Sequence, residues 1–212
     1  MSFKTINPII NGYMQFNHQK MADGILFVVL TIKTPFHTVA NQMRDVREKG
    51  LDSEYLWGFK RDTYKYLQAH SKDLYDDLMA LWLMPKKELG GNSDTKDAAM
   101  MYRLLEVPGL GAAKAGFVMQ MMFGRVGCMD VHNIRRFRNV QVKDFHFAQT
   151  AKPETKFKKL MNYVQLCKGH RSTEKLWDSW CEQLTYKTCN RNRFASGDEV
   201  SNFHWVALTA GL

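Results

Sequence analysis

A glycine turn between two helical patterns is the feature that most constrains how this chain can fold. Residues 107–111 read Val-Pro-Gly-Leu-Gly, and apolar side chains recur at helical spacing on both sides of them. Gly109 and Gly111 permit positive backbone dihedrals and leave no side chain over the turn, while Leu110 can pin the two helices together. The first amides of the second helix can then approach a phosphate oxygen, helped by the helix dipole. The pattern predicts a phosphate-binding helical hairpin, or an ordinary hairpin with a glycine cap.

The remaining periodicity predicts an all-α fold. Lys20 to Ile32 is an apolar stretch that suits a buried helix, although its β-branched residues also suit a strand. No alternation of helices and strands of the parallel-sheet kind is present. The tail, residues 190–212, gives no prediction. Other amphipathic helices are predicted from Phe36 to Met43, from Leu67 to Met84, from a cap at Ser93 or Asp94 to Leu105, and over residues 112–123, 153–167 and 173–184.

The composition indicates an intracellular globular protein. The 212 residues suffice for one large domain or two small lobes, and 45% of them are hydrophobic. No apolar run approaches the roughly 18 residues needed to cross a bilayer, and the first ten residues lack a secretory pattern. We therefore expect a cytoplasmic protein without a membrane partner. The four cysteines fit no compact zinc site, so free thiols are expected at Cys128, Cys167, Cys181 and Cys189.

An excess of positive charge favours a polyanionic partner. Lys and Arg number 30 against 21 Asp and Glu, which gives a net charge of +9. Phosphates neutralised by such a surface release condensed counterions. Charge alone leaves nucleic acid and a merely basic enzyme as alternatives, and a motif has to decide between them.

The stretch from Leu104 to Phe137 supplies such a motif. Val107 to Ala115 reads V-P-G-L-G-A-A-K-A, an apolar helix then ends at Phe123-Gly124, and M-D-V-H-N-I-R follows over residues 129–135. These residues resemble the helix-hairpin-helix DNA glycosylases of the endonuclease III type, whose pattern is L-P-G-[VI]-G-x-K-x-A, F-G and V-D-x-H-[VI]-x-R. The resemblance covers about thirty residues. It implies a two-lobed all-α fold with a central cleft and double-stranded DNA as the partner; protein partners are not predicted.

The resemblance also divides the chain. It implies one unit, residues 1–212, with a helical lobe over about 36–130 that contains the hairpin 94–124. The second lobe would comprise residues 1–35 together with 131–212.

Asp130 is the residue on which the implied chemistry depends. Cleavage of an N-glycosidic bond leaves positive charge on the sugar, and a fixed carboxylate stabilises that charge and can orient or deprotonate water. The alternative is that Asp130 only caps a helix beginning at Val131.

Other residues are implied to contact DNA. Lys33, in a loop after an early helix, would fill the space that a flipped base vacates. Trp57, Tyr64 and Trp82 are candidates for the base pocket, although such residues more often belong to the core than to a stacking platform. His132 and Asn133 would touch a phosphate or only cap their turn. The backbone contacts are assigned to Val107, Gly109, Leu110, Gly111, Lys114, Arg125, Arg135 and Arg136, with Arg138 extending the basic cluster.

Two departures from the family pattern limit the implied reaction. Bifunctional members have a Schiff-base lysine where this chain has Ala113; Lys114 lies about 100° further around the helix and is not expected to reach the same sugar carbon. The cysteines are also too widely spaced for the iron–sulfur cluster that many relatives bind. The resemblance therefore implies a monofunctional DNA glycosylase without a cofactor.

Three alternatives stay open. The first is a phage enzyme resembling the glutamyl/putrescinyl thymine pyrophosphorylases, which displace pyrophosphate from an activated thymine. The second is a DNA-binding relative that has lost activity. The third is an RNA-binding or structural protein.

Overall fold

The computed structural model describes residues 17–89, 92–134, 140–148, 150–170, 173–191 and 193–211. Within these ranges the secondary structure is helical, with short 3-10 turns at Phe36–Thr38, Gly50–Asp52 and Lys86–Leu89 and an isolated bridge between Thr185 and Phe194. The predicted all-α class is thus confirmed. The α-helices are α1 (His18–Leu30), α2 (Val39–Lys49), α3 (Phe59–Leu83), α4 (Ser93–Leu104), α5 (Ala112–Phe123), α6 (Val131–Ile134), α7 (Val142–Phe145), α8 (Pro153–His170), α9 (Thr173–Gln183) and α10 (Gly197–Thr209).

The apolar stretch near the start of the described chain is a helix and not a strand. Asn17 caps α1 by accepting a hydrogen bond from the Lys20 amide at 2.9 Å. Every residue from Gly24 to Leu30 is buried, because α1 packs against α2, α3, α5 and α10. A helix surrounded in this way carries no polar face, so its sequence has little helical periodicity to display.

Several boundaries differ from the predictions: α2 runs from Val39 to Lys49 and not from Phe36 to Met43, and α8 continues to His170. Helix α3 begins at Phe59, eight residues before the predicted start at Leu67. Asn92 caps α4 through the Asp94 amide at 2.8 Å, so neither Ser93 nor Asp94 is the cap. The unassigned tail contains α10, whose cap Ser196 accepts from the Glu199 amide while Glu199 accepts from the Ala195 amide.

The helices around α1 determine where a site can form. Helices α4 and α5 form the hairpin, and α8 packs on α4. Helix α1 contacts α3 and α5, which belong to the predicted first lobe, as well as α10, which belongs to the second. The division into two lobes stays a prediction. Among the helices of the described residues, none has the length and apolar character that a membrane crossing requires.

Candidate functional site

The hairpin turn has the geometry that a backbone contact requires, and its two glycines differ. Gly109 adopts a φ of +82°, and a Cβ there would lie 2.5 Å from the Phe59 ring. Thr63, one turn further along α3, donates to the Pro108 carbonyl at 2.6 Å. Leu110 is buried, as predicted, and its amide donates to the Val107 carbonyl at 3.1 Å. The start of α3 therefore supports the turn from inside.

Gly111 is on the outer side of the same turn. It is exposed, has an extended backbone, and offers open space to an added Cβ. As the N-cap of α5 it has no side chain with which to accept from the first-turn amides, so that end of the helix carries no side-chain cap. A concave space of about 250 Å³ lies over residues 105–111, with Phe147 and Lys156 on its other side. An anionic group placed there would meet the positive end of α5.

A second pocket, of about 240 Å³, contains Asp130. We call it the Asp130 pocket. It brings together residues from the turn after α1, from α5, from the start of α6 and from the region around α9. They are Thr31, Lys33, Thr34, Pro35, Phe36, Lys114, Asp130, Trp180, Leu184, Cys189 and Arg191.

Asp130 caps a helix and also lines a pocket. One carboxylate oxygen accepts from the Asn133 amide at 3.0 Å, so Asp130 caps α6. The same residue lines the pocket and is partly exposed there. Capping fixes the carboxylate orientation, which is what an electrostatic role beside a reacting atom would need.

A buried polar network holds the loop in front of Asp130. The Tyr163 hydroxyl donates to the Gly127 carbonyl and accepts from the Met129 amide, both at 2.7 Å. The Gln120 side chain accepts from the Cys128 amide at 3.0 Å, and the Asn133 side chain donates to the Cys128 carbonyl at 2.6 Å. All three of these side chains are essentially inaccessible to solvent, so they fix the backbone that carries the acid.

The buried groups of this loop are held in their neutral forms. Burial and, to a smaller extent, the Asp130 carboxylate raise the pKa of the Cys128 thiol to about 12, while the Lys114 ammonium partly opposes them. Burial also raises the pKa of the Tyr163 hydroxyl well above its usual value.

Lys114 is the residue of α5 that reaches the Asp130 pocket. Its ammonium donates to the Thr31 hydroxyl at 3.2 Å and lies 5.5 Å from the Phe117 ring centroid. The sequence predicts that Lys114 adds charge at the hairpin phosphate and does not reach the sugar carbon that a Schiff-base lysine would reach. In the structure Lys114 and Asp130 line the same pocket.

Lys33 also lines the Asp130 pocket. It is exposed, in the turn that joins α1 to the 3-10 turn Phe36–Thr38, and its φ of +56° is uncommon for a residue with a side chain. Such a conformation persists only where neighbours impose it. Its predicted insertion into DNA is not tested by these contacts, but its place at the pocket is compatible with that role.

Several other predicted DNA contacts are engaged elsewhere or fall outside the described side chains. Arg125 makes a two-point ion pair with the fully buried Asp97, at 2.5 and 2.9 Å, and lines a different pocket. Asn133 is buried and turned toward Cys128, which agrees with the capping alternative and not with a phosphate contact. The side chain of His132 and the whole of Arg135, Arg136 and Arg138 lie outside the described structure.

The aromatic residues of the Asp130 pocket are not those proposed from the sequence. Phe36 and Trp180 line it, with ring centroids 5.1 Å apart. Trp57 is half-exposed beside Phe59, Tyr64 lines a groove between α1 and α3, and Trp82 packs against Phe123. Arg191, also in the pocket, was not predicted. Both Trp180 and Arg191 reach the site only through tertiary packing, so no local sequence signal could have found them.

Comparison with protein-family models, with curated proteins and with solved structures gives no match for this chain. Within the described residues, no group of three or more His, Cys, Asp or Glu side chains is arranged to hold a metal ion. The class that the structure defines is therefore an all-α protein with a glycine hairpin and an adjacent charged pocket.

Proposed function

We propose that this protein is a DNA base-excision enzyme, a monofunctional DNA glycosylase that cleaves the N-glycosidic bond of a flipped base. The observation that carries the proposal is the register of α5. Gly111 caps this helix at the hairpin, and Lys114, three residues later, already lines the Asp130 pocket. A phosphate held at the hairpin would thus lie about one helical turn from the pocket.

The reaction follows from one carboxylate and one water molecule. As the bond between the sugar C1′ and the base nitrogen breaks, positive charge develops on the sugar, and Asp130 stabilises it. The water oxygen bonds to C1′, its proton passes to the carboxylate or to solvent, and the base leaves with the bonding electron pair. Lys33, Lys114 and Arg191 would attract the phosphates that flank the extruded nucleotide.

The test is mass spectrometry of nucleosides and free bases after incubation with damaged and with hypermodified duplex DNA. The matched variant is Asp130→Asn, because Asn and Asp cap helices equally well and the Asn133 amide keeps its acceptor. We expect release of a free base to fall by about 10²–10³-fold in the variant, with duplex affinity retained.

The same experiment can contradict the proposal in two ways. Undiminished base release by Asp130→Asn would remove Asp130 from the chemistry. If neither protein forms a product from any DNA, and Asp130→Asn binds duplex as well as the original protein does, the protein binds DNA without enzymatic activity.

A second candidate is supported by the charge of the pocket. Three cationic residues, Lys33, Lys114 and Arg191, line it beside a single carboxylate. This balance suits the departure of pyrophosphate from an activated thymine: an amine nitrogen bonds to the base-linked carbon, the carbon–oxygen bond breaks, and pyrophosphate carries the electron pair away. Mass spectrometry with an amine supplied separates the two reactions, because group transfer leaves in the DNA a base that carries the amine in place of pyrophosphate, whereas hydrolysis releases a free base.

A further inference from the structure

Lys60 is a buried lysine for which the proposed reaction has no use. It lies in the first turn of α3, and only 1% of its surface is exposed. Among the described residues its ammonium makes no ion pair; it donates to the Leu30 carbonyl at 3.2 Å and to the Thr34 hydroxyl at 3.1 Å. The Trp57 ring covers it at 5.1 Å. Burial lowers the pKa of Lys60 to about 8, which reflects the cost of placing this charge away from water.

The two acceptors of Lys60 lie on either side of one short turn. Leu30 is the last residue of α1, and Thr34 follows three residues that form the turn. Thr31, Lys33 and Thr34 all line the Asp130 pocket. One ammonium thus holds together both ends of the segment in which Lys33 adopts its positive φ.

The same turn of α3 also holds the hairpin. Thr63, three residues after Lys60, donates to the Pro108 carbonyl, and the Phe59 ring fills the space beside Gly109. Residues three apart share a helix face, so one rigid helical turn contacts both the hairpin and the pocket turn.

We propose that Lys60 is a positioning residue: it clamps the 31–34 turn to the start of α3, which contacts the hairpin. The clamp thereby fixes the position of Lys33 relative to the bound DNA strand. This inference rests on the proposed function. Lys60 does not itself line the Asp130 pocket, which it reaches only through Thr34, and in this proposal it does not contact the DNA. Its effect is on the extrusion of a nucleotide and not on the initial binding of duplex.

The test compares Lys60→Met with Lys65→Met, a matched change at an exposed position of the same helix. Hydrogen–deuterium exchange of residues 31–34 is measured without DNA. Duplex affinity and nucleotide extrusion are then measured with a short duplex that contains a single 2-aminopurine, whose fluorescence rises on unstacking. For Lys60→Met we expect faster exchange in the turn, an extrusion equilibrium lowered about tenfold, and a Kd within about twofold of the original protein. Lys65→Met should resemble the original protein in all three.

A second variant distinguishes loss of the clamp from a general folding defect. Thr34→Val removes one of the two acceptors and leaves Lys60 in place. The double variant should be no worse than Lys60→Met alone, because Lys60→Met already breaks the contact that Thr34→Val removes. Additive losses would overturn the clamp, and so would unchanged exchange in Lys60→Met. A loss of duplex affinity equal to the loss of extrusion would overturn the positioning role. If the original protein binds the duplex without extruding any base, the proposed function fails, while the DNA-free exchange result still decides whether the clamp exists.

Discussion

Gly109 and Gly111 are two positions apart in one turn, yet only one of them is required by the fold. Gly109 combines a positive φ with a ring packed where its Cβ would be, so it is needed for the hairpin to form. Gly111 has an ordinary extended backbone and open space around it, so folding alone does not require a glycine there. The absence of a side chain at Gly111 matters only to something that approaches from outside.

This contrast gives a prediction for Gly111→Val. The variant should fold normally, because the added side chain meets nothing within the protein. It should weaken duplex binding by about 1.5 kcal/mol, or roughly tenfold in Kd, since it blocks an amide–phosphate contact. Fluorescence anisotropy with several unrelated duplexes measures the effect, which should be the same for all of them.

The control for this prediction is Gly109→Val, which should lose stability in thermal unfolding. A base-selective effect of Gly111→Val, or full binding by it, would show that the turn does not hold the phosphate backbone.

Only some of the residues at the Asp130 pocket can be identified from the sequence. Asp130 could be named from the motif and Lys33 from its place in the loop after an early helix, and the structure places both at one pocket. Asn133 could also be named, but its bond to the Cys128 carbonyl could not be predicted. Tyr163 and Gln120, which also fix the loop before Asp130, could not be named; Tyr163 is 36 residues from the Gly127 carbonyl that it bonds. Buried polar networks leave no periodic trace in a sequence.

Most of the helices could be predicted from the spacing of apolar residues. Helix α5 has the predicted bounds, since Gly111 and Gly124 delimit an unbroken apolar segment, and Gly124 ends it in a left-handed conformation. The start of α3 was missed because Phe59 to Tyr66 carries charges and aromatics without a clear apolar stripe. There the tertiary contacts of Lys60 and Thr63 stabilise a helix that propensity alone does not mark.

The side chains that α5 presents to the Asp130 pocket bear on whether the reaction passes through a Schiff base. Ala113 stands where the bifunctional glycosylases that the sequence resembles have their Schiff-base lysine, while Lys114 lines the Asp130 pocket and donates to Thr31. We expect no covalent adduct when the protein, DNA and borohydride are incubated together, because alanine replaces that lysine. Denaturing electrophoresis with labelled DNA detects an adduct directly.

Lys114→Met provides the control for this experiment. An adduct formed by the original protein and abolished by Lys114→Met would overturn the monofunctional assignment and make Lys114 the nucleophile.

At the scale of the whole molecule, one buried histidine couples stability to pH. His204 on α10 is fully inaccessible and packs against Phe27, Trp177 and Trp205, with ring centroids 4.8, 4.9 and 5.6 Å away. Neither of its ring nitrogens has a hydrogen-bond partner among the described residues. Burial lowers the pKa of His204 to about 3, well below its value of 6.5 in an unfolded chain.

The sign of the effect follows from proton uptake. Below pH 6.5 the unfolded chain binds a proton at His204 that the folded protein excludes, so stability falls as the pH decreases from 6.5 toward 3. The contribution is about 1.4 kcal/mol per pH unit well below pH 6.5. His204→Phe should remove it, as measured by urea unfolding at several pH values, whereas His70→Gln, at an exposed position of α3, should not. Equal pH slopes for the original protein and His204→Phe would show that the ring is not held neutral.

The Asp130 pocket has walls from opposite ends of the described chain, with Lys33 and Phe36 facing Trp180 and Arg191. The hairpin, by contrast, lies within some thirty consecutive residues. Contacts between distant segments form at a greater entropic cost than local ones, so we expect the hairpin to form before the Asp130 pocket. A nascent or partly opened chain would already form the hairpin while the Asp130 pocket was still unassembled. A ligand bound in that pocket would in turn hold together segments that lie far apart in the sequence, those around Lys33 and Arg191.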